Sequence, residues 1–360
     1  MYALDEKGET IGDMDSKTNQ RFAGRESGIE LGRIVAMLMI TVGHFVLTFG
    51  LFFSPKDTFI SAADIQSIGE FLPRIVLYSL CVGGVNLFIL ISGYFQIRLT
   101  WKGLLRFVAL CIFYNALVLL ADWLVNDAFS LRRLAKVFIV SKTVNWFFPV
   151  YFCLMLVSPL LNKAVNALDL KNLRRAVVIL FLLNCVSGYF LHNENVSGYN
   201  AYQFFFLYIL GSWIRKDTAV RSWKTWGYLT LFVLTSLLVS ALAVGILHFT
   251  DWSLRSLFYY NNPLIVIASA ALFIAFTKLD FQSRGVNLFA STVVAALFTQ
   301  HILFLTASSF IHAHSAWLVL LYIPALFAAA FLLEYPRSYL TDRLIGRFDK
   351  KGKLSHKIID

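Results

Sequence analysis

Ten stretches of this 360-residue chain are almost wholly apolar and close to the length that crosses a bilayer. About 20 helical residues cover the hydrocarbon core, where a helix satisfies all of its own backbone groups. The stretches lie at residues 30 to 53, 74 to 97, 104 to 125, 143 to 161, 175 to 192, 200 to 214, 226 to 248, 257 to 277, 286 to 310 and 316 to 334. The sixth is short and Pro149 and Pro159 interrupt the fourth, so nine or eleven spans fit nearly as well. The expected fold is an all-α, polytopic transmembrane bundle of about ten spans. Three segments are expected: a polar cytoplasmic part at 1–28, a transmembrane domain at 29–334 and a basic cytoplasmic tail at 335–360.

Composition agrees, because 58% of residues are hydrophobic and only 15% are charged. Soluble domains carry about a quarter charged residues. The first 28 residues have no apolar core and no small-residue cleavage site, so no cleaved secretory signal is expected. Cys81, Cys111, Cys153 and Cys185 sit inside apolar stretches and form no CxxC or Cys/His cluster. They read as small buried apolar residues, and no metal site is expected.

Lys and Arg accumulate in cytoplasmic loops of membrane proteins. With ten spans and a cytoplasmic N-terminus, 24 of the 32 Lys and Arg fall in cytoplasmic segments, seven in outer segments, and Arg33 lies within the first span. Both termini are therefore expected in the cytoplasm. The outer segment LRRLAKVFIVSK holds four of the seven and reads as an amphipathic interfacial helix or part of a pocket. The net charge of +11 is spread over short loops and a tail, without the single basic, aromatic-rich face of a nucleic-acid binder. Attraction to anionic membrane lipid accounts for it.

An ionisable group stranded within a span is costly unless it lines a cavity or has a partner, so such groups mark candidate chemistry. Arg33, His44 and His301 are the clearest. Asp122, Glu334 and Arg106 lie near span ends, where snorkelling explains them. Arg33 and His44 are eleven residues apart in GIELGRIVAMLMITVGHF. Eleven helical steps return to nearly the same face about 16 Å further along the axis. The two describe the wall of a shaft; from spacing alone, an interfacial anchor and a packed histidine is the simpler reading. His301 is expected at a depth similar to His44, as a second functional group or as a histidine hydrogen-bonded to a carbonyl or to Gln300. Ser92 in ISGYF most simply permits close helix packing, and Asn86 and Trp146 read either as core or as substrate contacts. No GxSxG, HExxH or phosphate-loop pattern occurs.

An Arg and a His separated by ten residues in the first membrane helix resemble the signature of the acyltransferase-3 family of membrane acyltransferases. The segments GGVNLFILISGYF, NWFFPVYFCLMLVSPLL, YQFFFLYILGSWIRK and LFASTVVAALFTQHILF resemble later family elements in the same order, so the resemblance spans about residues 26 to 334. Two departures are visible. QIRLTWKGLLRF lacks the Arg-x-Arg pair common after the second helix, and Phe298 stands where a Tyr precedes the late His.

The resemblance implies transfer of acetyl, or another short acyl group, from acyl-CoA to a hydroxyl of a cell-surface polysaccharide or lipid-linked glycan, in the cell membrane of a bacterium. It implies Arg33, Arg98, Lys102 and Arg106 at the donor phosphates, His44 as general base with His301 assisting, and Asn86, Ser92 and Trp146 toward substrate. The implied partners are acetyl-CoA, the glycan acceptor, membrane lipid and, in an oligomer, a second copy of the chain. No SGNH-type esterase domain follows the last span, so the membrane domain or a separate protein is expected to complete the transfer. A glycan flippase or secondary transporter would also be a large helical bundle, but it predicts internal repeats, and none is evident.

Overall fold

The computed structural model describes residues 26–47, 68–126, 134, 146–191, 197–249, 254–300, 302 and 318–349. The described residues form helices joined by short turns, with no β-strand among them. The helices are α1 (Ser27–Val46), α2 (Ile68–Cys81), α3 (Gly84–Phe95), α4 (Trp101–Asn126), α5 (Phe147–Ala167) and α6 (Leu170–Leu183). They continue with α7 (Ala201–Lys216), α8 (Thr225–Phe249), α9 (Pro263–Thr277), α10 (Arg284–Ala290) and α11 (Leu318–Phe348), and residues 293–300 are also helical.

Among the described residues, seven apolar helical segments are long enough to cross a membrane. They are Ser27–Val46, Phe71–Phe95, Trp101–Asn126, Phe147–Ala167, Leu170–Phe190, Thr225–Phe249 and Leu254–Thr277. The expected sixth span corresponds to the 16-residue α7, the tenth overlaps α11 from Leu318 on, and the ninth is described to residue 300 and at 302. The chain is a polytopic, all-α membrane protein. Leu124, Phe249, Leu234 and Leu332 stand exposed on its outer helices, which is stable only where lipid covers them.

The expected interruption of the fourth span does not occur: α5 is continuous from Phe147 to Ala167. Pro149 sits in the first turn, where its missing N–H has no intrahelical partner to lose. Pro159 leaves the Met155 carbonyl without its usual donor, and the Ser158 hydroxyl supplies one at 2.8 Å.

α1, α3, α7 and α9 form the centre, with α3 against α7 the closest pair. A Cβ on Gly93 would lie 2.1 Å from the Tyr208 carbonyl oxygen, and one on Gly211 would lie 2.2 Å from that of Leu90. Small residues let backbones approach this closely in lipid, where no hydrophobic force drives helices together. Gly28, against Leu279, brings α1 equally close to the segment after α9. Side-chain caps on Asn200, Asn262 and Ser283 start α7, α9 and α10.

These contacts fix the relative direction of the spans. The start of α1 meets the end of α9 and the start of α10, through a hydrogen bond from Ser27 to Asn287. Its far end, at His44, meets Gln300. Near the ends of α4 and α11 that flank the first side, Arg106 pairs with Asp342. Glu334 does not snorkel: it is 5% exposed, ion-paired with Arg337, and accepts a hydrogen bond from Tyr114. Helix α11 thus runs past residue 334 without a break and docks residues 335–349 on the bundle.

Candidate active site

Two cavities lie toward opposite ends of α1. The first, about 180 Å³, is walled by Met39, Ile40, Gly43 and His44 of α1, by Tyr78 and Cys81 of α2, and by Trp146, Tyr199 and Tyr260. Trp146 closes it edge-on against Tyr199, with ring centroids 4.6 Å apart. Gly198, at φ +72° and pressed against the Asn261 backbone, makes the turn that presents Tyr199. Aromatic faces with hydroxyls, around one imidazole, suit a sugar ring or an acyl chain better than a charged ligand.

The Gln300 amide nitrogen lies 3.0 Å from Nδ1 of His44. An amide nitrogen only donates, so Nδ1 accepts and a neutral ring carries its proton on Nε2. Gln300 is 3% exposed, and its Oε1 has no hydrogen-bond partner among the described residues. His301 lies outside the described residues.

Asn86 does not reach this cavity's wall. It is fully buried, donates to the Tyr260 carbonyl at 2.9 Å and accepts from Gln203 at 3.3 Å. Gln203 also donates to the Tyr260 carbonyl and accepts from Asn184. This knot holds Tyr260 from behind, so Asn86 supports the wall and its polar atoms are already engaged with protein. Ser92 donates to the Phe88 carbonyl and lies 3.3 Å from the Tyr151 hydroxyl, and no base is beside it in the described structure. Of the three residues expected at substrate, only Trp146 lines the His44 cavity.

The second cavity, about 800 Å³, opens at the Arg33 end of the bundle. It is lined by Phe95 at the end of α3, Gln96 and Arg98 after it, by Asn162, Lys163 and Asn166 of α5, and by Arg215 and Lys216 of α7. Four cations therefore face one space. Gln96 has φ +56°, unusual for a residue with a Cβ, and its amide pairs with that of Asn166. Asn162 and the Tyr208 hydroxyl pin the neighbouring Ile97 backbone. These contacts hold a strained wall in one shape. Outside the spans, hydrogen bonding to Arg174 holds the Asp217 carboxyl below the usual carboxylate range, fixing the turn after Lys216.

Arg33 lies beside the basic cavity without lining it. It is ion-paired with Glu30, and its guanidinium lies 5.5 Å from the centre of the Phe95 ring on the basic cavity's wall. The expected cluster of Arg33, Arg98, Lys102 and Arg106 does not form. Arg98 lines the cavity, Lys102 does not, and Arg106 is drawn 2.6 Å from Asp342 at a separate cavity near Glu334 and Arg337. Lys163, Arg215 and Lys216 take the expected places. Their signal was in the alternation of spans, which returns the ends of α3, α5 and α7 to one side, but loop charges count for topology without naming neighbours.

No curated protein and no solved structure matches the chain significantly. A family profile described as an acyltransferase domain matches residues 26–335, which takes in α1, both cavities and all but the last part of α11. The chain is a membrane acyltransferase belonging to the acyltransferase-3 family.

Proposed function

We propose that this protein transfers an acetyl or other short acyl group from acyl-CoA to a hydroxyl of a cell-surface or exopolysaccharide sugar, with His44 as general base. The observation that carries the reading is a basic cavity at one end of α1 and an imidazole in an aromatic cavity at the other. Arg98, Lys163, Arg215 and Lys216 match the phosphates of the donor by charge, and guanidinium groups bind phosphate in forked geometry. The pantetheine arm would pass Arg33 and bring the thioester toward His44, about 16 Å along the helix.

There the acceptor oxygen attacks the thioester carbonyl carbon as His44 takes the hydroxyl proton. The C–S bond then breaks, the imidazolium returns the proton to the departing thiolate, and the sugar ester is left. Proton transfer by a positioned base contributes about 10²- to 10⁴-fold. Membranes given acetyl-labelled acetyl-CoA should accumulate label in alkali-labile ester on glycan. A flippase would leave the glycan unlabelled.

Donor recognition has its own signature. A charge-assisted hydrogen bond to phosphate is worth about 1.5 to 3 kcal/mol, so Arg215→Ala and Arg33→Ala should each raise the KM for acetyl-CoA about tenfold or more. Acceptor KM should change little, and Arg106→Ala should leave donor KM near wild type because Arg106 lines a separate cavity, beside Asp342. Unchanged donor dependence in both Arg215→Ala and Arg33→Ala would remove the basic cavity from the donor path.

On this reading the basic cavity faces the compartment that supplies acyl-CoA, and both termini lie in the cytoplasm of a bacterial cell. Thr10→Cys and Ser355→Cys, in a cysteine-free background, should both resist a membrane-impermeant thiol reagent in intact cells. Labelling of either one would reject this orientation.

A further inference from the structure

We propose that Gln300 is a positioning residue for His44: in the reactive state its amide is turned, so that Oε1 accepts from Nδ1–H and Nε2 becomes the basic nitrogen. This rests on the reading of His44 as general base. The structure supplies three reasons. Gln300 lies 256 positions from His44 in sequence, yet its amide nitrogen is 3.0 Å from Nδ1. With the amide as drawn, the neutral ring is protonated at Nε2, and a nitrogen that holds a proton cannot take one. The Gln300 oxygen is buried and has no partner among the described residues, so the acceptor needed for the other tautomer is already present on the same side chain. Rotation about the last side-chain bond exchanges the two amide atoms and preserves a hydrogen bond to Nδ1.

No carboxylate competes for this role among the described residues of the cavity. Among the described residues, the polar groups that share the cavity wall with His44 are Tyr78 and Cys81 from α2, with Trp146 before α5 and Tyr199 and Tyr260 from the loops before α7 and α9. From α11, the Tyr322 hydroxyl donates to the Gln300 backbone carbonyl and so holds its backbone rather than its side chain. Gln300 thus stands where serine hydrolases place an aspartate, fixing the tautomer of the base without adding a charge inside the membrane.

The test uses purified full-length protein in lipid nanodiscs, with acetyl-CoA as donor and glycan extracted from the native membrane as acceptor. Gln300→Leu should lower kcat by about 10²-fold with the KM for acetyl-CoA unchanged. Gln300→Glu supplies an acceptor of nearly the same size and should restore kcat to within about tenfold of wild type, a rescue that a packing role does not produce. Wild-type kcat in Gln300→Leu would overturn the proposal. So would a Gln300→Glu protein that melts like wild type yet is as slow as Gln300→Leu. His44→Gln, assayed alongside, separates the two levels. If it is inactive while Gln300→Leu is active, only the Gln300 assignment fails; if His44→Gln is itself active, the general-base reading fails and takes this one with it.

Discussion

His44→Ala is expected to reduce acyl transfer by about 10²- to 10⁴-fold, the range lost when a positioned general base is removed, while the protein still inserts and binds donor. The expectation follows from place as much as from chemistry. His44 is the one imidazole lining the aromatic cavity among the described residues, and the cations of the basic cavity lie toward the other end of α1. Removing the ring leaves the basic cavity intact, so the KM for acetyl-CoA should move little while kcat collapses. A loss of insertion or of donor affinity would point instead to a packing role for His44.

His44→Gln sharpens this result. The amide keeps much of the volume and can still hydrogen-bond to Gln300, but it cannot take up a proton at neutral pH. A folded, inactive Gln variant therefore isolates proton transfer from packing. Near wild-type transfer would transfer the catalytic assignment to His301, the next residue after the partner of His44.

The spans were largely legible because hydropathy registers burial in lipid directly. The expected run at 143 to 161 overlaps most of α5, which runs on six residues further to Ala167, and the shared face of Arg33 and His44 follows from helical geometry alone. What sequence did not disclose was contact between distant spans. In sequence Gln300 reads, beside a carbonyl, as one alternative partner for its neighbour His301, which lies outside the described residues; in the structure it stands against His44, 256 positions away. Arg106 was grouped with Arg33 by loop position, but a helix-to-helix ion pair with Asp342 takes it elsewhere. Asn86 was a candidate ligand because a polar group in a span invites one, yet Gln203 and the Tyr260 carbonyl meet its needs. Uniformly apolar helices carry little information about which faces meet, so partners are chosen by shape and by a few polar groups that single spans do not reveal.

Shape is the basis of the second large effect. Gly93→Ala and Gly211→Ala should each weaken the fold by about 1 to 3 kcal/mol, the usual cost of overfilling a packed core, seen as a lower melting temperature in detergent. Both new methyls would meet backbone rather than flexible side chains, at Tyr208 and at Leu90, so no rotamer change relieves them. The only relief is for α3 and α7 to move apart, which also strains the bond from Ser212 to the Gly93 carbonyl. Because one separation relieves both clashes, the double variant should lose clearly less than the sum of the two singles. Function should report the same movement, since α3 leads into Gln96 and Arg98 and α7 ends in Arg215 and Lys216 across the basic cavity. Widening that space should raise the KM for acetyl-CoA in each variant more than it lowers kcat. Additive losses with unchanged donor affinity would mean that the glycines act at independent sites and that the α3–α7 contact does not set the shape of the donor cavity.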